Sequence, residues 1–291
     1  MVLKKRQSFQ TRQFMLASDY EIYHYKDLTL KNVSIHHHDY FECLYFISGQ
    51  VSYLIEGRVF DLKPGDIVLI NTSELHQATI LDLTVPYERM VLWLKKDYVQ
   101  RLSTAESNLA DCFEAPTHKN IIRADLTTSQ RIKNLLSQII SQQDYTGFGC
   151  ELLTPACMTE LLVLLNIEML NIDTRPSVEV RKSQMIEDVI AYINDHLDEP
   201  LHIDDLAEHF FHSKFHLSRQ FSRQTGTTIH RYVMQKKLIM AKELILQHLP
   251  ITDVFQQCGF GDYSNFFRAF RQEYSMTPKQ FYEAMLQQKQ S

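Results

Sequence analysis

The sequence predicts an α+β multidomain chain: an N-terminal antiparallel β domain, connecting helices, and an all-α C-terminal domain. Three observations predict it. Short β-rich runs broken by turns fill residues 30–94. Two apolar stripes at helical spacing follow at 132–140 and 152–167. Residues 184–291 then repeat one pattern, short helix, tight turn, second helix, on either side of a long stretch without Gly or Pro. The expected boundaries are 1–120 for the β domain, 121–172 for connecting and dimerisation helices, 173–183 for a linker and 184–291 for the helical domain.

In chain order, the start Met1-Val2-Leu3-Lys4-Lys5-Arg6 is basic but lacks the apolar core of a signal peptide. Cys43–Ile47, Val51–Ile55, Ile67–Ile70 and Met90–Leu94 read as strands. Val51 to Val59 reads as strand, turn, strand with Glu56-Gly57 at the tip, and Lys63-Pro64-Gly65-Asp66 is a second turn. So many short strands predict a closed or sandwiched antiparallel sheet. Ile132, Leu135, Leu136, Ile139 and Ile140 make the first helical stripe. Leu152, Leu153, Ala156, Leu161, Leu162, Leu164, Leu165 and Ile167 make the second, wider than one partner helix would cover. The surplus is expected to form a homodimer seam; the alternative is that both stripes only close the β domain's own core. Asn171–Val180, with Asp173, Pro176 and Ser177, reads as a polar linker.

In the C-terminal part, the first copy of the repeat runs from Ile203 to Phe221 and the second from Ile251 to Arg271. Ser213 and Asp262 are natural N-caps for the second helix of each copy. Leu217 with Phe221, and Phe266 with Phe270, lie four apart and are expected to face inward. That leaves Lys214, Phe215, Ser218, Arg219 and Ser222 outward in the first copy, and Tyr263, Ser264, Phe267, Arg268 and Arg271 in the second. From Thr228 to Gln247 apolar residues recur at helical spacing. Such a rod is ~30 Å long, against ~34 Å between successive major-groove faces of B-DNA. Two units held by it are suited to one side of a duplex. Lone surface arginines are ordinarily solvated charges; two matched arrays at this spacing favour DNA.

These residues carry a family resemblance. Leu206-Ala207, Leu217-Ser218-Arg219 with Phe221, Thr225-Gly226, Ala241 with Leu244, Gly259-Phe260 with Asp262, Phe266 with Arg268 and Phe270, and Met276-Thr277-Pro278 resemble the AraC/XylS class of bacterial transcription regulators. Phe255 stands where that family usually has a small Ala, Ser275 where Gly is usual and Lys237 where Arg is usual. The resemblance implies a double helix-turn-helix domain that binds promoter or operator DNA, activation more than repression, and RNA polymerase as a partner. Its base-reading positions fall on Phe215, Ser218 and Arg219, and on Tyr263, Ser264, Phe267 and Arg268. An arginine fork suits guanine O6 and N7, and a phenylalanine ring suits a thymine methyl. Ser213, at the start of the first reading helix, belongs to the same surface; Lys214, Ser222, Asn265 and Arg271 are placed for phosphates.

A second resemblance lies upstream. His36-His37-His38-Asp39-Tyr40-Phe41-Glu42 with Gly49 is similar to the first cupin motif, and Pro64-Gly65-Asp66 through His76 to the second, with Asn71 and Ser73 replacing the usual Pro and Gly. It implies a small jelly-roll barrel with a central pocket, the sensor half of many such regulators. His36, His38, Glu42 and His76 fall on the positions that hold metal in catalytic cupins, and three imidazoles with a carboxylate suit Fe, Mn, Ni or Zn. The alternative is that they hydrogen-bond an organic effector. For that reading the expected lining is His36, His38, Tyr40, Glu42, Tyr45, Tyr53, His76 and Trp93, rings for stacking and polar groups for hydroxyls, which suits a sugar or another metabolite.

Charge and composition set limits. The chain carries a net charge of −5, and residues 184–291 hold 11 Lys/Arg against 13 acids. Such a domain grips phosphate weakly, so few phosphate contacts are expected. The acids avoid the reading helices: Ser213–Gln224 has three basic residues and no acidic one. No apolar run is expected to reach a membrane span, and five scattered cysteines read as buried reduced thiols of a cytoplasmic protein. The expected function is a DNA-binding transcription regulator controlled by a small effector, without resident cofactor or catalysis. The rivals are a metal-dependent cupin enzyme or metal sensor fused to a DNA-binding domain, and a constitutive DNA binder with a structural barrel.

Overall fold

The computed structural model describes residues 14–30, 33–171, 180–181 and 183–288, in two compact units, residues 1–181 and 182–291. The basic start at 1–6 and most of the expected linker, 173–179 and 182, lie outside the described residues.

In the first unit the strands are β1 (Tyr20–Asp27), β2 (Phe41–Ser48), β3 (Gln50–Ile55), β4 (Arg58–Asp61), β5 (Ile67–Ile70), β6 (His76–Asp82), β7 (Tyr87–Leu94), β8 (Ile121–Ile122) and β9 (Val180–Arg181). They form two antiparallel sheets, ordered β1-β7-β2-β5-β8 and β6-β3-β4-β9. The hairpin tip falls at Glu56-Gly57, where φ is 44° and 78°; two positive φ values give the turn whose twist matches its strands. Val180–Arg181, expected as linker, instead add a short strand to β4, with Phe60 opposite Val180.

The larger sheet is buried on both faces. Tyr40, Leu44, Phe46, Val91 and Trp93 share one core with Tyr53, Ile55 and Phe60 of the smaller sheet. Phe41, Cys43, Tyr45 and Leu92 share the other with helices α1 (Lys96–Leu102), α2 (Asp111–Glu114), α3 (Leu126–Gln142) and α4 (Cys150–Leu170). Beneath the Pro64-Gly65-Asp66 turn, Asp66 is buried, and Arg123 grips its carboxylate with Nε and Nη2 at 2.7 and 2.6 Å.

Two expectations from the sequence do not hold: that no helix reaches membrane-span length and hydropathy, and that all five cysteines are buried. Helix α4 has the length and hydropathy of a membrane span, 21 residues with a window mean of 1.5. It nevertheless buries Met158, Leu161, Leu162 and Leu165 in the unit's own core, which explains why so apolar a helix belongs to this fold. Its other side leaves Leu152, Leu153, Val163, Ile167 and Leu170 exposed. Among the cysteines, Cys43, Cys112 and Cys258 are buried, but Cys150 and Cys157 on α4 are only partly so, because that helix is covered on one side. All five are free thiols.

The second unit is helical: α5 (Gln184–Asp195), α6 (Ile203–His209), α7 (Lys214–Thr225), α8 (Ile229–Leu246), α9 (Ile251–Gln257), α10 (Tyr263–Tyr274) and α11 (Pro278–Gln288). Helix α8 starts on Thr228, whose side chain accepts from Arg231 N, and its 18 residues span ~27 Å. Helix α10 ends on Ser275 at φ 55°. The left-handed conformation costs a side-chain-bearing residue roughly 1–2 kcal/mol. Ser275→Gly is therefore expected to stabilise this unit by about 1 kcal/mol, read as a higher midpoint in urea; an unchanged or lower midpoint would contradict it.

Candidate nucleic-acid interface and barrel interior

Helices α6–α7 and α9–α10 are the two copies of the repeat. Each second helix is fixed at its start by the residue expected: the Ser213 side chain accepts from His216 N, and the Asp262 side chain from Asn265 N. Each such cap contributes ~1 kcal/mol. Leu217, Phe221, Phe266 and Phe270 are fully buried and orient the helices. Arg219 and Arg268 then stand six residues beyond their caps, both exposed. Lys214, Phe215, Tyr263, Ser264, Asn265 and Arg271 are exposed as well, and Ser218, Ser222 and Phe267 are half-buried at the edge of the same faces. Lys214 pairs with Asp204 of α6 at 2.9 Å, and Arg268 Nη2 donates to Asn265 Oδ1 at 2.6 Å.

The second copy departs from the first where the sequence does. Phe255 sits half-buried at the rim, edge-on to Tyr263 at 5.7 Å and stacked near Phe266 at 6.4 Å. Gly259 turns the chain at φ +62°, and a Cβ there would lie 2.6–2.7 Å from Lys237 Nζ and the backbone of Asp198 and Glu199. Lys237 is buried, and its ammonium donates to Glu199 O at 2.7 Å and Gly259 O at 2.8 Å. One α8 side chain thus ties the turn of the second copy to the loop between α5 and α6.

The barrel interior gathers most of the other expected residues. Residues 33–38 run alongside β6, where His36 and His76 exchange backbone hydrogen bonds of 3.0 and 2.9 Å. The His36 ring lies 4.2 Å from that of His76, and the His38 ring 4.8 Å from it. Glu42 on β2 accepts from Trp93 Nε1 at 2.8 Å and lies 3.6 Å from His38 Nε2. One donor atom from each of His38, Glu42 and His76 lies within 4.8 Å of the others; His36 stands outside that cluster and, with Glu42, lines a barrel cavity whose lining does not include His38 or His76. Tyr40, Tyr53 and Trp93 line it too. Tyr45 does not: β2 alternates, so Tyr45 points to the helix-covered face and bonds Ser129 Oγ at 2.9 Å. Tyr87 and Arg89 are interior residues that the sequence reading missed, because β7 begins three residues before the expected Met90. Alternation extended back from Trp93 through Val91 would have found them.

The cavity lined by His36, Tyr40, Glu42, Tyr53, Tyr87, Arg89 and Trp93 is about 20 Å3. That is room for a single water; a sugar ring would require Tyr40, Trp93 or their neighbours to move apart.

Burial pushes His36 down to about 4, helped by the neighbouring His38, and pushes His76 well below 6.5, helped by His36 and His38. Burial pushes the Glu42 carboxyl up, but His38, with His36 and Trp93, holds it below its ordinary value. The two lowered histidines set a pH dependence. Below 6.5 the unfolded chain takes up protons that folded His36 and His76 refuse, so stability falls as pH drops from about 6.5 towards 4. Urea midpoints of metal-free protein across that window check the sign, and a midpoint that rose on acidification would contradict it.

Comparison with known proteins places both halves. The profile of the AraC-like ligand binding domain matches residues 20–162, and that of a helix-turn-helix domain matches residues 206–284. The HTH-type transcriptional activator RhaS of Enterobacter sp. (strain 638) is 27% identical over 249 residues, covering 84% of this chain and 86% of its own. RhaS of Escherichia coli (strain SE11) is 25% identical over 248 residues, covering 84% and 85%. Among solved structures, ToxT from Vibrio cholerae O395 aligns over 91% of this chain and 98% of its own, at 10% identity and a TM-score of 0.37.

Proposed function

Because the chain belongs to the AraC/XylS family of transcription regulators, we propose that it is an effector-controlled activator of transcription, not an enzyme, working in the cytoplasm on promoter DNA and RNA polymerase. The observation that carries the reading is the matched register of the two helix-turn-helix units, with Arg219 and Arg268 six residues beyond equivalent N-caps. In this reading Phe215, Ser218, Arg219, Tyr263, Ser264, Phe267 and Arg268 meet base edges, while Ser213, Lys214, Ser222, Asn265 and Arg271 meet phosphates. Arg268 must exchange its bond to Asn265 for one to a base. Lys214 must likewise loosen from Asp204, an exposed pair of little net worth.

The effector is read in the barrel interior by His36, His38, Tyr40, Glu42, Tyr53, His76 and Trp93. It acts by binding one arrangement of the chain more tightly than another. The test is selection from a random duplex pool with the full chain. Enrichment of one sequence family supports the reading; recovery of an unenriched pool overturns it.

The exposed row Leu152, Leu153, Val163, Ile167 and Leu170 on α4 supports a homodimer through this helix. The pair Ile167→Glu and Leu170→Glu is expected to turn a sedimenting dimer into a monomer with the fold intact. A wild-type chain that sediments as a monomer at all concentrations would contradict the dimer.

A further inference from the structure

We propose that Phe211, in the turn between α6 and α7, is a DNA-contacting residue whose ring packs on the deoxyribose wall of the major groove beside the reading helix. The proposal rests on the reading of α7 as a DNA-reading helix and adds to it an apolar contact outside the helix itself.

The two copies of the repeat close their turns alike but with different residues. Helix α6 ends on Phe210, after which Phe211 N donates to Glu208 O at 3.1 Å and His212 N to Ala207 O at 2.8 Å. Helix α9 ends on Cys258, after which Gly259 N donates to Gln256 O at 2.9 Å and Phe260 N to Phe255 O at 3.1 Å. The bonds have the same spacing, and this closure places the residue after the C-cap in the left-handed region. Phe211 has φ 56° and Gly259 φ 62°. Glycine adopts that conformation freely, and phenylalanine does not. The second copy therefore carries the residue that the backbone favours, and the first carries one that it disfavours.

Packing within the unit does not offset that strain. Phe211 is 94% exposed, so its ring stands in water and not in the core. A ring that strains its turn and adds little to the core points to a contact outside the chain.

Position identifies the contact. Phe211 lies two residues before the Ser213 cap of α7, and Phe215, on the first turn of α7, is 77% exposed. Among the described residues of this unit, the other exposed phenylalanine or tyrosine is Tyr263, the first residue of α10. Exposed aromatic rings thus gather where the two reading helices begin. The N-terminal end of a reading helix meets base edges in the major groove, so the turn just ahead of it lies against the sugar-phosphate wall. Deoxyribose presents C–H groups there, which suit a phenyl ring. Charge agrees with this chemistry. With 11 Lys/Arg against 13 acids, residues 184–291 gain little affinity from phosphate neutralisation, and an apolar contact adds affinity that salt does not screen.

The test measures affinity of the full chain for a duplex selected from a random pool, over a range of salt, together with urea midpoints of the same variants. Phe211→Gly is expected to raise the midpoint, because the strain is gone. It is also expected to weaken duplex binding by about fivefold or more, as half-burying a phenyl ring provides. The salt slope is expected to stay as it was, since no phosphate contact is lost. Phe211→Asn, which also tolerates the left-handed turn, is expected to show the same loss. Phe211→Tyr keeps the ring and is expected to bind as the wild type does. Wild-type affinity in Phe211→Gly overturns the proposal and leaves the ring to a protein partner. A loss that Phe211→Tyr shares, or one that comes with a lower urea midpoint, overturns it as well. Arg219→Ala separates the two readings. If it weakens binding while Phe211→Gly does not, only the Phe211 contact fails; if neither does, α7 is not a DNA-reading helix.

Discussion

Arg123→Ala is expected to destabilise the N-terminal unit by about 3–5 kcal/mol, the largest effect of any single truncation considered. Arg123 reaches Asp66 with two parallel bonds of 2.7 and 2.6 Å, and Asp66 is 1% exposed. Removing the guanidinium leaves a buried carboxylate with Lys63 N, at 2.8 Å, as a much weaker donor. The substitution also frees the turn over which α3 packs, since Ser129 of α3 bonds both Tyr45 and Gly65 O. The control is Arg131→Ala. Arg131 pairs with Glu160 on the surface, 58% and 42% exposed, and an exposed pair contributes about 0–1 kcal/mol. Urea unfolding of both variants checks the contrast. Equal losses would mean that burial of the Asp66–Arg123 pair is not what matters.

Arg219→Ala is expected to weaken specific DNA binding by about 1–3 kcal/mol and to relax selection at one base pair. Arg219 stands exposed on α7, and its helix is held by fully buried Leu217 and Phe221. An alanine removes the fork without touching the core, so loss of affinity reports recognition and not folding. If Arg219 reads a base, the salt dependence of binding stays as it was. If it meets a phosphate, binding falls uniformly across sequences and the salt slope drops by about one. The same substitution at Arg268 is the internal comparison, because that side chain begins bonded to Asn265 and Ser264 O. The shortage of basic residues in this unit predicts a salt slope shallower than that of a strongly basic repressor.

Local signals made the helical unit legible. The caps at Ser213 and Asp262, the turn at Gly259 and the inward pairs Leu217–Phe221 and Phe266–Phe270 are short-range features, and each falls where its spacing places it. The barrel was harder. Strand β2 is buried on both faces, so it has no hydrophobic alternation to give its sidedness, and Tyr45 was assigned to the wrong face. Strands β1 and β6 carry polar and charged residues among their apolar ones and escaped notice. The Asp66–Arg123 pair joins positions 57 apart, and no local pattern announces such a contact. His36, His38 and His76 are legible by motif; the bonds of their Nδ1 atoms to the carbonyls of Ser34, Tyr40 and Glu74, each two residues away, depend on how the backbone turns there.

In the proposed complex α7 and α10 enter one duplex together, spaced by α8. The measurement that tests it most directly is a hydroxyl-radical footprint of the full chain on a duplex selected from a random pool. Two protected blocks are expected on one side of the DNA, about 10–10.5 base pairs apart for each bound chain, with Arg219→Ala weakening one block and Arg268→Ala the other. A single block per chain, or two blocks that both fade equally with either substitution, would contradict it.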